Sequence, residues 1–254
     1  MRKSQISVFV IIGIFLFISA VFFIYLNQSK KEDIIKTSFL SRLGFKSETD
    51  AIKSSVSECM KHETASALEK IGIQGGYYKK PEKYSDLGWT FIPYYYYKGE
   101  FLMPNKSVIE NELSNYLDDK VPECLNQIYF KDVELKYENI KTKTSILRGK
   151  TVFNIDMPLS IIKGDKIVKI ELKDYPVVYN SSLYDIIEVA DFITKSHKEN
   201  EKMVCVNCVS SLIKEKNLYV DFLNYPKDKS DVLVIISENY TSSKPYMFEF
   251  LNKY

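Results

Sequence analysis

One stretch constrains this chain before any other. From Ile6 to Leu26 it carries 21 residues without a charge, inside RKSQISVFVIIGIFLFISAVFFIYLNQSKK. As a helix rising ~1.5 Å per residue, such a run extends roughly 31 Å. That matches the ~30 Å hydrocarbon core of a bilayer and exceeds the ~7–15-residue apolar region of a secretory signal. A cleavable signal also ends in small residues. The only small pair, Ser19-Ala20, runs on into Val21-Phe22-Phe23-Ile24, so a cut there would leave an apolar N-terminus. Tyr25 falls at the outer rim, where interfacial aromatic residues collect. The expectation is a retained transmembrane helix that meets the lipid bilayer through Ile6 to Leu26, with 1–31 as the anchor and its flanks.

Orientation is not set by the basic flanks, because Arg2 and Lys3 on one side balance Lys30 and Lys31 on the other. Asn27, Asn105, Asn180 and Asn239 each begin an N-x-[ST] sequon, and are candidate glycosylation sites. They favour a single-pass membrane protein with its C-terminal domain extracytoplasmic.

The rest of the chain alternates runs of helix with runs of strand. A helix is expected to continue from Glu32 to a break at Gly44, and another from about Ser47 to Ile71, where apolar residues keep helical spacing. It should stop at Gly72, with Gly75-Gly76 as a turn. Tyr77 to Met103 reads as strand, most strongly from Trp89 to Tyr97. Ser107-Val108-Ile109-Glu110 reads as a capping box opening a third helix, which Pro122 should kink or restart before an end near Ile128. Val133, Leu135 and Tyr137 alternate, as do Phe153, Ile155, Met157, Leu159 and Ile161. Lys163-Gly164-Asp165 is a turn into a partner strand. Helices over about Ser182–Glu199 and Cys205–Glu215 precede three short strands, Leu218–Leu223, Val232–Ser237 and Tyr246–Leu251. Runs of this kind indicate an α+β ectodomain of several helices packed on antiparallel sheet. Its expected regions are 32–130, helical with short strands, and 131–254, antiparallel sheet with two helices.

Charge excludes one class of partner. With 35 basic and 33 acidic side chains interspersed, there is no clustered basic face for nucleic acid. Two histidines also leave few parts for metal or acid–base chemistry. No Ser-His-Asp or HExxH arrangement surrounds His62 or His197, so no catalytic residue, cofactor or metal is expected. Asp118-Asp119 reads as a solvated helix end. Tyr94 to Tyr97 reads as half core, half surface, with stacking on sugars or bases as the functional alternative.

The four cysteines are the most informative polar residues. Cys59 and Cys124 fall on different expected helices among apolar neighbours. They are either a disulfide joining those helices or two buried thiols. Cys205-Val206-Asn207-Cys208 is a local structural disulfide, a redox dithiol, or half of a zinc site needing two more ligands. The preceding residues, SHKENEKMV, do not read as the buried strand of a thioredoxin-like unit.

Two resemblances follow from these residues. The basic leader with SQISVFVIIGIFLF, the helix CMKHETASALEKIGIQGGYY and the later IENELSNYLDDKVPECL resemble membrane-anchored surface proteins of small-genome archaea, of the Nanoarchaeota and Woesearchaeota type, over roughly residues 1–175. That resemblance implies an N-terminal membrane helix, an extracytoplasmic domain, and a cysteine in each of the two helices, paired as Cys59 with Cys124. It brings no activity with it. The N-terminus alone is similar to that of type IV pilins and archaellins. Ser4-Gln5 would be the leader cleavage point, although the glutamate of bacterial-type pilins falls here at the uncharged Phe9.

The expected function is a structural or interaction component of the cell surface with protein partners, pilin-like or pilus-associated, with homo-oligomers allowed. The alternatives are a membrane-anchored thiol-disulfide oxidoreductase using Cys205 and Cys208, or a glycan-binding surface module using Trp89 and Tyr94–Tyr97.

Overall fold

A computed structural model describes residues 45–172, 175–199, 205–225, 230–238 and 245–253. The bilayer segment Ile6 to Leu26, the stretch from Glu32 to Gly44, the Ser4-Gln5 point, and Asn27 and Asn239 lie outside the described residues. Among those described, no helix is long and apolar enough to cross a membrane. The chain divides into two units, Met1–Ser54 and Ser55–Tyr254. Of the first, only 45–54 are described, the opening turns of a helix.

That helix, α1 (Phe45–Ile73), runs past the expected stop at Gly72. It ends in a Schellman turn. Gly76 N–H donates to the Ile71 carbonyl at 2.8 Å and Gly75 N–H to Gly72 at 3.1 Å, with Gly75 left-handed at φ 50°. Glycine is the residue that adopts this conformation without a Cβ penalty. Gly72 serves a different purpose: a Cβ there would lie 2.3 Å from the Met247 carbonyl, so the helix can approach the sheet only because none is present.

The sheet it meets is built from β1 (Tyr84–Asp86), β2 (Phe91–Tyr97), β3 (Glu100–Phe101), β10 (Leu218–Asn224), β11 (Asp231–Glu238) and β12 (Met247–Lys253). Its order is β1-β2-β12-β11-β10, with β3 also on β2. The expectation of purely antiparallel pairing needs one correction, because β12 runs parallel to β2. A parallel neighbour requires a long crossover, and here most of the chain lies between the two strands. On the core side, Tyr95 stacks on Phe250 at 4.3 Å and meets Phe248 edge-on at 6.3 Å. The Tyr95 hydroxyl donates to the Gly75 carbonyl at 3.0 Å. Each of these fully buried rings contributes on the order of 2 kcal/mol.

Helix α2 (Lys106–Leu125) starts one residue before the expected capping box. Asn105, not Ser107, is its N-cap. The Asn105 Oδ1 accepts from Val108 N–H at 3.0 Å and from the Ser107 hydroxyl at 2.7 Å. Asparagine holds an extended cap backbone while offering that acceptor. Pro122 does not restart α2, which is continuous through it. It sits in the last turn, and the helix closes at Leu125 with Asn126 N–H on the Pro122 carbonyl at 3.0 Å.

Two three-stranded sheets complete the β structure. One is β4 (Glu134–Tyr137), β7 (Pro158–Lys163) and β8 (Lys166–Glu171) in the order β4-β7-β8; the other is β5 (Lys141–Leu147), β6 (Lys150–Asp156) and β9 (Val177–Asn180) in the order β5-β6-β9. The alternating run from Phe153 to Ile161 is therefore two strands in two sheets. Phe153, Ile155, Met157, Leu159 and Ile161 are nonetheless all buried, because the inward phase survives the change of partner at Met157-Pro158. The Lys163–Lys166 hairpin forms as expected. Helices α3 (Leu183–Glu199) and α4 (Val206–Lys216) follow.

The open edge of β5 is closed by side chains of α2. Ile146, Thr144 and Thr142 N–H groups donate to Glu110 Oε1 at 2.8 Å, Ser114 Oγ at 3.1 Å and Asp118 Oδ1 at 2.8 Å. Four helical residues rise ~6 Å and two strand residues ~6.7 Å, so the two ladders keep step over three contacts. Asp118 is thus a partner for a strand edge and not a solvated helix end. Polar groups on an unpaired edge would otherwise recruit another chain.

Candidate functional site

Cys59 and Cys124 are joined. Their Sγ atoms lie at bonding distance with Cα atoms 6.0 Å apart, linking α1 to α2 across a separation of 65 residues. Cys59 is 5 % exposed. Cys205 and Cys208 are also paired, with Cα atoms 5.2 Å apart. No cysteine of the chain is free. With Cys59 and Cys124 bonded to each other, they do not complete a zinc set with the CxxC pair.

The CxxC pair occupies the start of α4. Cys205 is the N-cap, and its Sγ accepts from Cys208 N–H at 3.3 Å. Residues 205–208 are all exposed. The remainder of α4 is seated firmly: Val209 is buried, and Lys216, 10 % exposed, pairs with Asp185 at 2.9 Å and with Glu188 on α3. The disulfide therefore lies exposed at the start of α4.

Trp89, the only tryptophan, is 79 % exposed. It sits in the turn between β1 and β2, where Leu87 N–H donates to Thr90 O at 2.9 Å and Gly88 N–H to Asp86 Oδ1 at 2.7 Å. Lys80 pins the same carboxylate at 2.6 Å. Beside the indole is a depression of about 310 Å³ bordered by Ser66, Glu69, Lys70, Thr90 and Tyr116. An exposed aromatic face beside a depression that mixes apolar groups, Ile73 among them, with hydrogen-bonding ones suits contact with a partner surface.

The four-tyrosine run does not join Trp89 as a stacking platform. Tyr95 and Tyr96 are buried at 0 % and 2 %, and as consecutive strand residues they point to opposite faces of the sheet. Tyr94 and Tyr97 are half-buried and meet edge-on at 5.0 Å. The Tyr94 hydroxyl donates to Asp231 Oδ2 at 2.6 Å. Burial, reinforced by that hydrogen bond, holds the hydroxyl protonated well above the usual tyrosine range. Asp231, 2 % exposed, also contacts the Lys253 ammonium at 3.1 Å. The Lys253 ammonium in turn lies 5.8 Å from the centre of the Tyr97 ring. Sequence reasoning missed Asp231 and Lys253, since an acid before an apolar strand and a lysine after one look like ordinary strand ends.

The two described sequon asparagines are exposed, Asn105 as the α2 cap and Asn180 at the end of β9. His62 is exposed beside Glu63 at 3.2 Å. Among the described residues, no group of three or more His, Cys, Asp or Glu side chains could hold a metal ion.

No family model, curated protein or solved structure matches this chain.

Proposed function

We propose that this chain is a single-pass, membrane-anchored protein whose α+β domain lies outside the cytoplasm and works by contact with other surface components. The observation that carries it is cysteine pairing: all four thiols are engaged, one pair across 65 residues. Such bonds persist on the oxidising side of a membrane. The apolar run from Ile6 to Leu26 supplies the anchor, and the likeness to archaeal surface proteins and pilins is consistent with it. A pilin-like or pilus-associated subunit is one form of this reading, with Gln5 as the first residue after processing.

Protease added to intact cells is expected to remove the domain while leaving a membrane-held fragment containing Ile6 to Leu26. Full protection until lysis would overturn the topology.

Trp89 is the proposed centre of the contact surface. Trp89→Ala should leave the thermal midpoint nearly unchanged, within about 1–2 °C, because an exposed ring contributes little to stability. Binding of the detergent-solubilised full chain to cell-surface material stripped of its membrane should fall at least ~10-fold, as expected for an aromatic anchor. Unchanged binding would remove Trp89 from the surface that matters.

A further inference from the structure

The two disulfides differ in what they can do for the fold. Cys59–Cys124 joins separate helices and is shielded at the Cys59 end. Cys205–Cys208 has a sequence separation of 3 and lies within one cap and first turn. It ties no two elements together, so tertiary stability gives no reason for it. Both its cysteines are exposed, as are the two residues between them.

We propose that Cys205 and Cys208 form a thiol–disulfide exchange site whose substrates are dithiols and disulfides of other polypeptides. The cap geometry assigns the roles. Cys205 Sγ stands at the N-terminus of an 11-residue helix and already accepts the Cys208 N–H. A thiolate at that place gains from the same N–H and from the positive end of the helix. Cys205 is therefore the exchanging sulfur and Cys208 the resolving one. This activity goes beyond the contact role and does not depend on the anchor.

In the oxidising direction, a partner thiolate attacks Cys205 Sγ. The bond to Cys208 breaks, and its electron pair leaves with Cys208 Sγ, which takes a proton from solvent. The partner's second thiolate then attacks the partner sulfur of the mixed disulfide and expels Cys205 as the thiolate stabilised by the helix cap. Two electrons have passed from the partner dithiol, now a disulfide, to the pair, now a dithiol. The reduced pair runs the same steps backwards on a partner disulfide.

The test uses the full chain in detergent and a synthetic peptide with two cysteines. Mixed with the peptide in its dithiol form, the oxidised protein should yield about one equivalent of peptide disulfide. Alkylation should then label Cys205 and Cys208 while Cys59–Cys124 stays closed. With the peptide in its disulfide form, Cys208→Ser should trap a mixed disulfide at Cys205 at least tenfold faster than Cys205→Ser traps one at Cys208. Transfer only after unfolding, release of all four thiols together, or equal rates for the two variants would overturn the proposal. Each result is read without reference to topology, so a domain found inside the cell would sink the contact reading and leave this one standing.

Discussion

Replacing Cys59 and Cys124 together with alanine is expected to lower the stability of the domain by about 4 kcal/mol in the chain-entropy picture, given the 65-residue separation. For a unit of this size that is a fall of roughly 10 °C in the thermal midpoint. The bond acts mainly on the unfolded chain, by denying it the conformations in which α1 and α2 drift apart. The sensitivity of unfolding to urea should therefore rise in the double variant, because the unfolded state expands. The contrast with the other pair is the informative part. Cys205→Ala with Cys208→Ala should move the thermal midpoint by only a small fraction of that amount, since that bond spans one helical turn. Thermal unfolding of the full chain in detergent, followed by near-ultraviolet circular dichroism, measures both. Equal shifts would show that α4 depends on its own bond and would weaken the separation between a structural and an accessible disulfide.

Asp231→Asn is expected to cost about 3 kcal/mol. The carboxylate is 2 % exposed, and it faces the Lys253 ammonium, itself 13 % exposed, and the Tyr94 hydroxyl. Asparagine preserves the shape and can still accept from Tyr94, but it removes the negative charge 3.1 Å from the largely buried Lys253 ammonium. Removing one member of such a pair costs more than the pair ever contributed, because the survivor stays desolvated. A second variant isolates this cause. Lys253→Met alone should also destabilise, while Asp231→Asn with Lys253→Met should recover at least ~1 kcal/mol relative to the sum of the singles. Additive losses in the double variant would show that the two charges do not act as a pair. The same junction holds β2, β11 and β12 in register, so denaturation midpoints report directly on the closure of the main sheet.

Much of the element order was legible because the apolar residues keep time. Residues 47–71, 182–199 and 205–215 read as helices because their inward positions are aliphatic at helical spacing. The hairpin at Gly164 and the three closing strands read equally plainly. Strand β5 was invisible for a specific reason. Its inward positions are Thr142, Thr144 and Ile146, so only one of three is apolar, and the signal is a hydrogen-bonding pattern supplied by α2. The capping box failed because Asn105 and Ser107 are both competent caps, and in the fold Asn105 Oδ1 takes the Val108 N–H while the Ser107 hydroxyl donates to that same oxygen. At the candidate sites the cysteines announced themselves by type. Exposure divided them into a shielded tie and an open disulfide, and exposure belongs to the folded state.

The uncharged 21-residue run, the alternation that makes an α+β domain and the four residues capable of disulfides are all written in the order of the residues. These depend on chemistry within a few neighbouring residues. Tertiary structure decided the parallel seating of β12 on β2, the burial of Tyr95 and Tyr96, the pairing of Asp231 with Lys253, and the placing of Cys205 at a helix cap open to solvent. Those outcomes join residues far apart in the chain. They depend on which surfaces exclude water together, and a linear pattern does not record that.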